Sequence, residues 1–277
     1  SALNNLNDLT MDERNATLLG YTDAELDANF PKAMHEHAQV MGLDYEAYRD
    51  KLRWWYNGYR FSRWNLTKVY NPFAIGRILA IRNPAFSGTW IRTGQTSAVM
   101  NYFSSNQFAE MDYENVEGVT EEDLDVCGLE NIRPVAMLYQ GGYLTIKDFS
   151  DPYFTLGIPD EEVRRAFNTL LVQKFAGEKD NRYRNTTCLA LRKGDFATFF
   201  GNLADLFAHL SYGPNEKRVQ EFSFQRILHV LLTSDGSFRV TAEDRQSQGR
   251  ADLVAETDER VFVFELKVDG TAQEALA

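Results

Sequence analysis

The stretch "GRADLVAETDERVFVFELKVDG", Gly249 to Gly270, decides how this chain is read. Two apolar runs flank a short polar turn, a pattern that predicts a β-hairpin. Asp252 sits inside the first run, and Glu265 and Lys267 sit inside the second. A turn centred between Asp258 and Glu259, with an even number of loop residues, fixes the pairing. Glu256 then opposes Val261, Val254 opposes Val263, and Asp252 opposes Glu265. Directly opposed side chains share a face of the sheet with Cβ atoms about 4.5–5.5 Å apart, and like charges there repel. Such a pair is tolerated when one carboxyl is protonated or when a cation lies between them. Glu265 and Lys267 are two apart and share that face, whereas Phe262, Phe264 and Leu266 point to the other, which is the expected core face. An odd-length turn would remove the opposition.

Two acids and an amine on one face suit phosphodiester hydrolysis. Mg²⁺ takes oxygen ligands, commonly one or two carboxylates completed by water and substrate phosphate. A bound divalent ion polarises phosphate and lowers the pKa of its water. The lysine can orient the nucleophile or stabilise charge growing on phosphorus-bound oxygens. Spacing alone leaves a second reading open, in which the three residues form a solvated patch with an ordinary Glu–Lys pair.

The rest of the chain sets bounds on both readings. It has 277 residues, 44% of them hydrophobic, enough for two ordinary domains or one large one. No apolar run reaches the roughly 18–20 residues that span a bilayer. The N-terminus has no basic segment followed by an apolar one, so a cytoplasmic protein without a membrane partner is expected. The two cysteines, Cys127 and Cys188, fit a reducing compartment and suggest neither a zinc site nor a disulfide framework. His35 and His37 are two apart on a predicted helix and make a poor metal pair, and His209 and His229 are distant. A net charge of −11 argues against a protein that coats nucleic acid generally, but a local basic groove remains compatible with it.

Residues 1–110 read as mostly helical. Thr22 and Glu25 form a capping box before "ELDANF", and "NPFAIGRILAIRN" begins with a proline suited to a first helical turn. The amphipathic helix "DYEAYRDKLRWWYNGYRF" should end near Asn57-Gly58, with Gly58 supplying a left-handed C-cap. The aromatic, basic end of that helix reads as packing, with base stacking as the alternative. A boundary is expected within 110–135, at the acidic stretch "AEMDYENVEGVTEEDLD". A helix ending near Gln140, a hairpin around Ser150-Asp151-Pro152 and a helix in "PDEEVRRAFNTLLVQKFAG" should follow. In "GDFATFFGNLADLFAHLS", residues Phe196, Phe199, Phe200, Leu203, Leu206, Phe207 and Leu210 keep helical spacing and read as core. From Lys217 the order is helix, strand, strand, strand.

With these segments in place, the sequence resembles the PD-(D/E)XK nuclease superfamily. More narrowly, it resembles bacterial proteins that join an AAA-ATPase-like region to such a nuclease module. The resemblance rests on "GRADLV" with Asp252, on "VFVFELKVDG" with Glu265-Leu266-Lys267, and on "EFSFQRILHVLLTSDG" as the module's first helix. "NNLNDLT", "LLGYTDAEL", "WWYNGYRFS" and "VYNPFAIG" resemble the second half of the ATPase-like region, and "IPDEEVRRAF" resembles the linking segment.

The resemblance implies an α/β chain: a helical, ATPase-lid-like part over 1–125, then a helical and hairpin linker and a restriction-endonuclease-like α/β module over 126–277, with its core from about 215. It implies Asp252, Glu265 and the backbone carbonyl of Leu266 as ligands of Mg²⁺ or Mn²⁺, Lys267 as the catalytic lysine, and Glu221 as the helical acid. Arg250 is a candidate phosphate contact. No Gly-x-x-x-x-Gly-Lys-Ser/Thr occurs, and the family continues past the third strand with a Gln-containing helix. The chain therefore reads as truncated at both ends, the ATPase-like region before its start and the nuclease module after its third strand, with ATP reached only through a region outside this chain. The expected function is metal-dependent hydrolysis of nucleic acid, DNA in preference to RNA. The alternative is a non-catalytic module that binds nucleic acid or a protein partner in an ATP-driven switch.

Overall fold

The computed structural model describes residues 9–84, 86, 112–125, 133–176, 181–208, 217–246 and 249–266; at 173–176, 181, 208, 217–223, 242–246 and 249–251 the description covers the backbone alone. The chain is mixed α/β and separates into two compact units that divide between Val163 and Arg164. That division lies beyond the boundary expected within 110–135, a segment of which 112–125 and 133–135 are described.

The first unit opens with α1 (Asp23–Asn29), α2 (Pro31–Val40) and α3 (Tyr45–Tyr56). Thr22 and Glu25 form the expected capping box at α1, and the Asp44 side chain accepts from Ala47 N–H to start α3. Leu26, Met34, Tyr48, Leu52, Trp55 and Tyr56 from these helices bury one shared core. Next come β1 (Asn57–Tyr59), β2 (Val69–Tyr70) and α4 (Pro72–Ala80), whose Ile75 and Ile78 complete that core. Helix α3 ends where the sequence places its end, but Gly58 is not its left-handed cap. Asn57 is extended at φ −106°, and Gly58 belongs to β1. The physical reason for glycine is contact: a Cβ there would lie 1.7 Å from the Pro159 carbonyl oxygen.

Within the same unit, β3 (Val116–Val119) and α5 (Glu121–Leu124) precede α6 (Pro134–Gln140). The expected hairpin follows as β4 (Thr145–Ser150) and β5 (Tyr153–Gly157). The sheet order is β3-β5-β4, antiparallel throughout. Strands β1 and β2 in the helical region, and β3 in the acidic stretch, were not anticipated. Each has four residues or fewer and is specified by its partner strand more than by its own pattern.

The second unit holds most of α7 (Glu161–Ala176), then α8 (Asn181–Lys193), α9 (Phe196–Ala208), α10 (Lys217–Asp235), β6 (Arg239–Gln246), β7 (Gly249–Glu256) and β8 (Val261–Phe264). Helix α10 buries Ile227, Leu228, Val230, Leu231 and Leu232, too many for one stripe, so it lies inside its unit. Asn168 of α7 donates to Thr233 Oγ1 of α10 at 2.6 Å, and the buried Cys188 thiol of α8 reaches the Leu231 carbonyl at 3.7 Å. Gly236, at φ 74°, turns the chain out of α10 in the left-handed conformation that favours glycine. The three strands form an antiparallel meander ordered β6-β7-β8.

One expectation fails on α9. Phe199, Leu203 and Leu206 are buried, but Phe196 is 50% exposed and Phe200 is 55% exposed. A helix covered on one side buries one stripe, and Phe196 and Phe200 lie on the flank beside it. Leu210 lies outside the described residues.

Candidate functional site

The β7–β8 hairpin closes as its sequence dictates. Thr257 N–H donates to the Arg260 carbonyl at 2.8 Å, and Thr257 Oγ1 accepts from Arg260 N–H at 3.0 Å. Asp258 and Glu259 remain as a two-residue loop, which fixes an even register. Glu256 pairs with Val261, Ala255 with Phe262, Val254 with Val263 and Leu253 with Phe264. Leu253 and Ala255 are fully buried, and Phe264 packs near Phe199 with ring centroids 6.1 Å apart. The opposite face carries Val261 and Val263, each 62% exposed.

One step beyond the last pair, the same register sets Asp252 opposite Glu265. There the backbone ladder gives way to a side chain: Leu266 N–H donates to Asp252 Oδ2 at 2.8 Å. The carboxylate is thereby held at the exit of β8, beside the Glu265–Leu266 segment. Asp252, Glu265 and Leu266 are all partly buried. The second carboxylate oxygen of Asp252 takes no hydrogen bond among the described residues, and Glu265 has a polar interaction of its own.

Helix α10 fixes the other side of Asp252. Gln225 Nε2 donates to the Asp252 backbone carbonyl. Glu221 stands one helical turn before Gln225 on α10, and its side chain lies outside the description, as does that of Arg250 on β7. Lys267 lies outside the described residues altogether. Gln225 was missed in the sequence, although its place four residues after Glu221 puts both on one helix face. A second missed neighbour is Glu243 of β6. The pairs Ala242–Leu253 and Asp244–Ala251 bracket it and set it opposite Asp252.

The donor set suits a hard cation, since Asp252 and Glu265 offer carboxylate oxygens and Leu266 a backbone carbonyl. Among the described residues, no group of three or more histidine, cysteine or acidic side chains is placed to hold a metal ion.

Of the other candidates, His35, His37 and Cys188 make packing contacts within their units. His37 is buried with Nδ1 3.0 Å from Tyr48 Oη, whereas His35 stacks on Tyr45 on a different side of α2. Burial pushes the Cys188 thiol well above the usual range, which makes it inert, and Cys127 and His209 lie outside the described residues. Trp55 and Tyr56 are core residues, although Trp54 and Trp64 remain exposed. No helix among the described residues is long and apolar enough to cross a membrane.

Comparison with known proteins adds one relative. The chain is 30% identical over 277 residues to an uncharacterised protein in the vnfD 5′ region of Azotobacter chroococcum mcd 1. The alignment covers 97% of this chain and 50% of that protein, so the chain spans about half the length of the curated relative it matches. No family model matches the chain, and no solved structure matches it.

Proposed function

We propose that the second unit is a PD-(D/E)XK-like nuclease module that hydrolyses nucleic-acid phosphodiester bonds, DNA in preference to RNA, with Mg²⁺ or Mn²⁺. The observation that carries this reading is the hairpin register, with the Asp252 carboxylate tied to the Leu266 amide beside Glu265. Opposed carboxylates in a sheet repel, and a divalent cation between them turns that cost into binding.

Asp252 and Glu265 would hold the ion, with the Leu266 carbonyl as a further ligand. The ion would polarise the scissile phosphate and acidify a water. Lys267 would orient that water or offset charge on the phosphate oxygens as it develops. Glu221 would assist from α10. In a longer parent, an ATPase-like region would govern when this module acts.

Calorimetric Mg²⁺ titration beside cleavage of a plasmid and a short RNA tests the reading. Lys267→Ala should abolish cleavage and leave metal binding intact, because the lost interaction is strongest in the transition state. Glu265→Gln should instead weaken Mg²⁺ binding, because it removes a ligand charge. Full cleavage by Lys267→Ala would remove that residue from the mechanism. Metal binding without cleavage by the wild-type chain, with a partner still bound, would favour the non-catalytic switch that the net charge of −11 also suits.

A further inference from the structure

The first unit buries a large core, yet one of its faces is apolar and open. Leu9, Leu18 and Leu19 line a groove of about 220 Å³ together with Phe61. A second groove, of about 240 Å³, adjoins it: Leu19 and Phe61 line both, and Val69 and Pro72 extend its apolar wall. The loop that leaves Phe61 enlarges the same face. Met11 bridges Ser62, and Asn65 Nδ2 donates to the Glu13 carbonyl at 3.3 Å. Trp64 and Leu66 flank that asparagine. The loop is also held from beneath, since the buried Arg60 guanidinium donates to the carbonyls of Ser62 and Arg63. A surface ordered before binding loses little conformational entropy on association.

Leu18 is 71% exposed, and Leu9, Leu19, Trp64 and Leu66 are each exposed by half or more. Single exposed apolar side chains are ordinary, but several gathered on one face mark a contact surface. At roughly 100 Å² each, these five present on the order of 500 Å². A dimer of standard size buries about 800 Å² per partner, about two-thirds of it apolar when the partners are identical. The two quantities agree.

The shape is self-complementary. Leu18 stands next to a groove that it does not line, with Leu19 on the shared wall. A two-fold axis near Leu19 sets Leu18 of each copy into the other's groove, as an isologous contact requires. Charge permits the same pairing. Arg14 is paired with Asp12 at 2.6 Å, and Arg63 with Glu121 at 2.7 Å. Both cations are engaged within the chain, so they offer little to a polyanion, and covering the face strands neither. We propose that this face of the first unit joins two copies of the chain in a symmetric dimer, with Leu18 as its anchor. The inference is independent of the chemistry proposed for the second unit.

Sedimentation velocity of the 277-residue chain between about 1 and 100 µM tests it. The expected result is a species of twice the chain mass, with a dissociation constant in the micromolar range or below. Leu18→Asp places a carboxylate in each of two symmetric grooves and should raise that constant roughly 100-fold or more. Leu18→Gln should raise it about 10-fold, and it serves if the aspartate variant does not fold. Val40→Asp alters an exposed valine of α2 that lines neither groove, and should leave the constant unchanged. Added salt screens the repulsion between two chains of net charge −11 and should tighten the dimer.

A wild-type chain that stays monomeric at the highest concentration overturns the proposal and gives the face to another occupant, such as a further segment of a longer polypeptide. A dimer equally strong in folded Leu18→Asp lies on another surface and overturns it too. Dissociation on adding salt would mean that ion pairs, and not this face, hold the copies together.

Discussion

The described residues include two three-stranded antiparallel sheets, β3-β5-β4 and β6-β7-β8, and they use charge in opposite ways. Beside the first sheet, Arg60 is 3% exposed. Its guanidinium donates to the carbonyls of Ser62, Arg63 and Lys147. Its main chain exchanges two hydrogen bonds with the Thr145 hydroxyl, at 2.8 and 3.0 Å. Burial pulls this guanidinium below the ordinary arginine value, with the Asp148 charge opposing. Here three donors of a buried cation each close on a backbone carbonyl. In the second sheet, Asp252 is only partly buried, and the register continued one step past Leu253–Phe264 sets another carboxylate, Glu265, opposite it. A charge that satisfies backbone is scaffold. A row of like charges that the register forces together calls for a ligand.

If that contrast is right, the largest loss of stability comes from the scaffold. Arg60→Met keeps the apolar stem and deletes the donors, leaving three carbonyls without this partner. Buried groups left unsatisfied cost about 1–3 kcal/mol each, so a total of about 3 kcal/mol or more is expected. Urea unfolding of the variant measures it. A loss under about 1 kcal/mol would mean that water replaces the guanidinium and that the clamp is dispensable.

Gln225 stands between the two cases, since it ties α10 to the main chain of Asp252. Gln225→Met should cost about 1 kcal/mol, the worth of one hydrogen bond, and should weaken Mg²⁺ binding through the displaced aspartate. Gln225→Glu has the same size but no donor at neutral pH, so it should be at least as damaging on both readouts. Wild-type stability and metal affinity in Gln225→Glu would show that the contact does not position Asp252.

The second sheet was the more legible of the two in the sequence. A two-residue loop between alternating runs leaves one register, so the pairs Val254–Val263 and Glu256–Val261 follow from counting alone. The α10-to-β8 order was also readable, because α10, β6 and β7 are long enough to show their own period and the two-residue loop then delivers β8. The first sheet was half hidden. Strand β3 has four residues, one of them Gly118, and pairing with β5 supplies what its composition lacks. The role of Gly58 was invisible for a different reason: the atom it must avoid belongs to Pro159, a hundred positions away. Helical spacing on α9 marked apolar positions correctly but could not say which stripe is covered, so Phe196 and Phe200 were misplaced. At the site, the carboxylate pair was readable from one hairpin. Glu243 required carrying the register through a second, and the Gln225 contact required packing between helix and sheet.

The smallest expected effect on stability is the one that separates the sheets most sharply. Asp252→Asn is isosteric and still offers an oxygen to the Leu266 amide. It weakens a charge-assisted hydrogen bond, which is roughly twice as strong as a neutral one. It also relieves repulsion from Glu265, worth roughly 0.2–1 kcal/mol for an opposed pair. The two terms have opposite signs and similar size, so metal-free stability should change by no more than about 0.5 kcal/mol in either direction. The response to Mg²⁺ should differ much more. An ion that binds only the folded wild-type chain adds about 2.7 kcal/mol at a hundredfold excess over Kd. Asp252→Asn, short of one ligand charge, should lose most of that gain. Thermal melts of both proteins over a Mg²⁺ series, at constant ionic strength, read both quantities together. A variant that melts several degrees lower without metal would show that Asp252 is scaffold, as Arg60 is. Equal Mg²⁺ responses in the two proteins would place the ion elsewhere. Near-equal metal-free melts, with a Mg²⁺ shift confined to wild type, are what a ligand-binding carboxylate in a repulsive row requires.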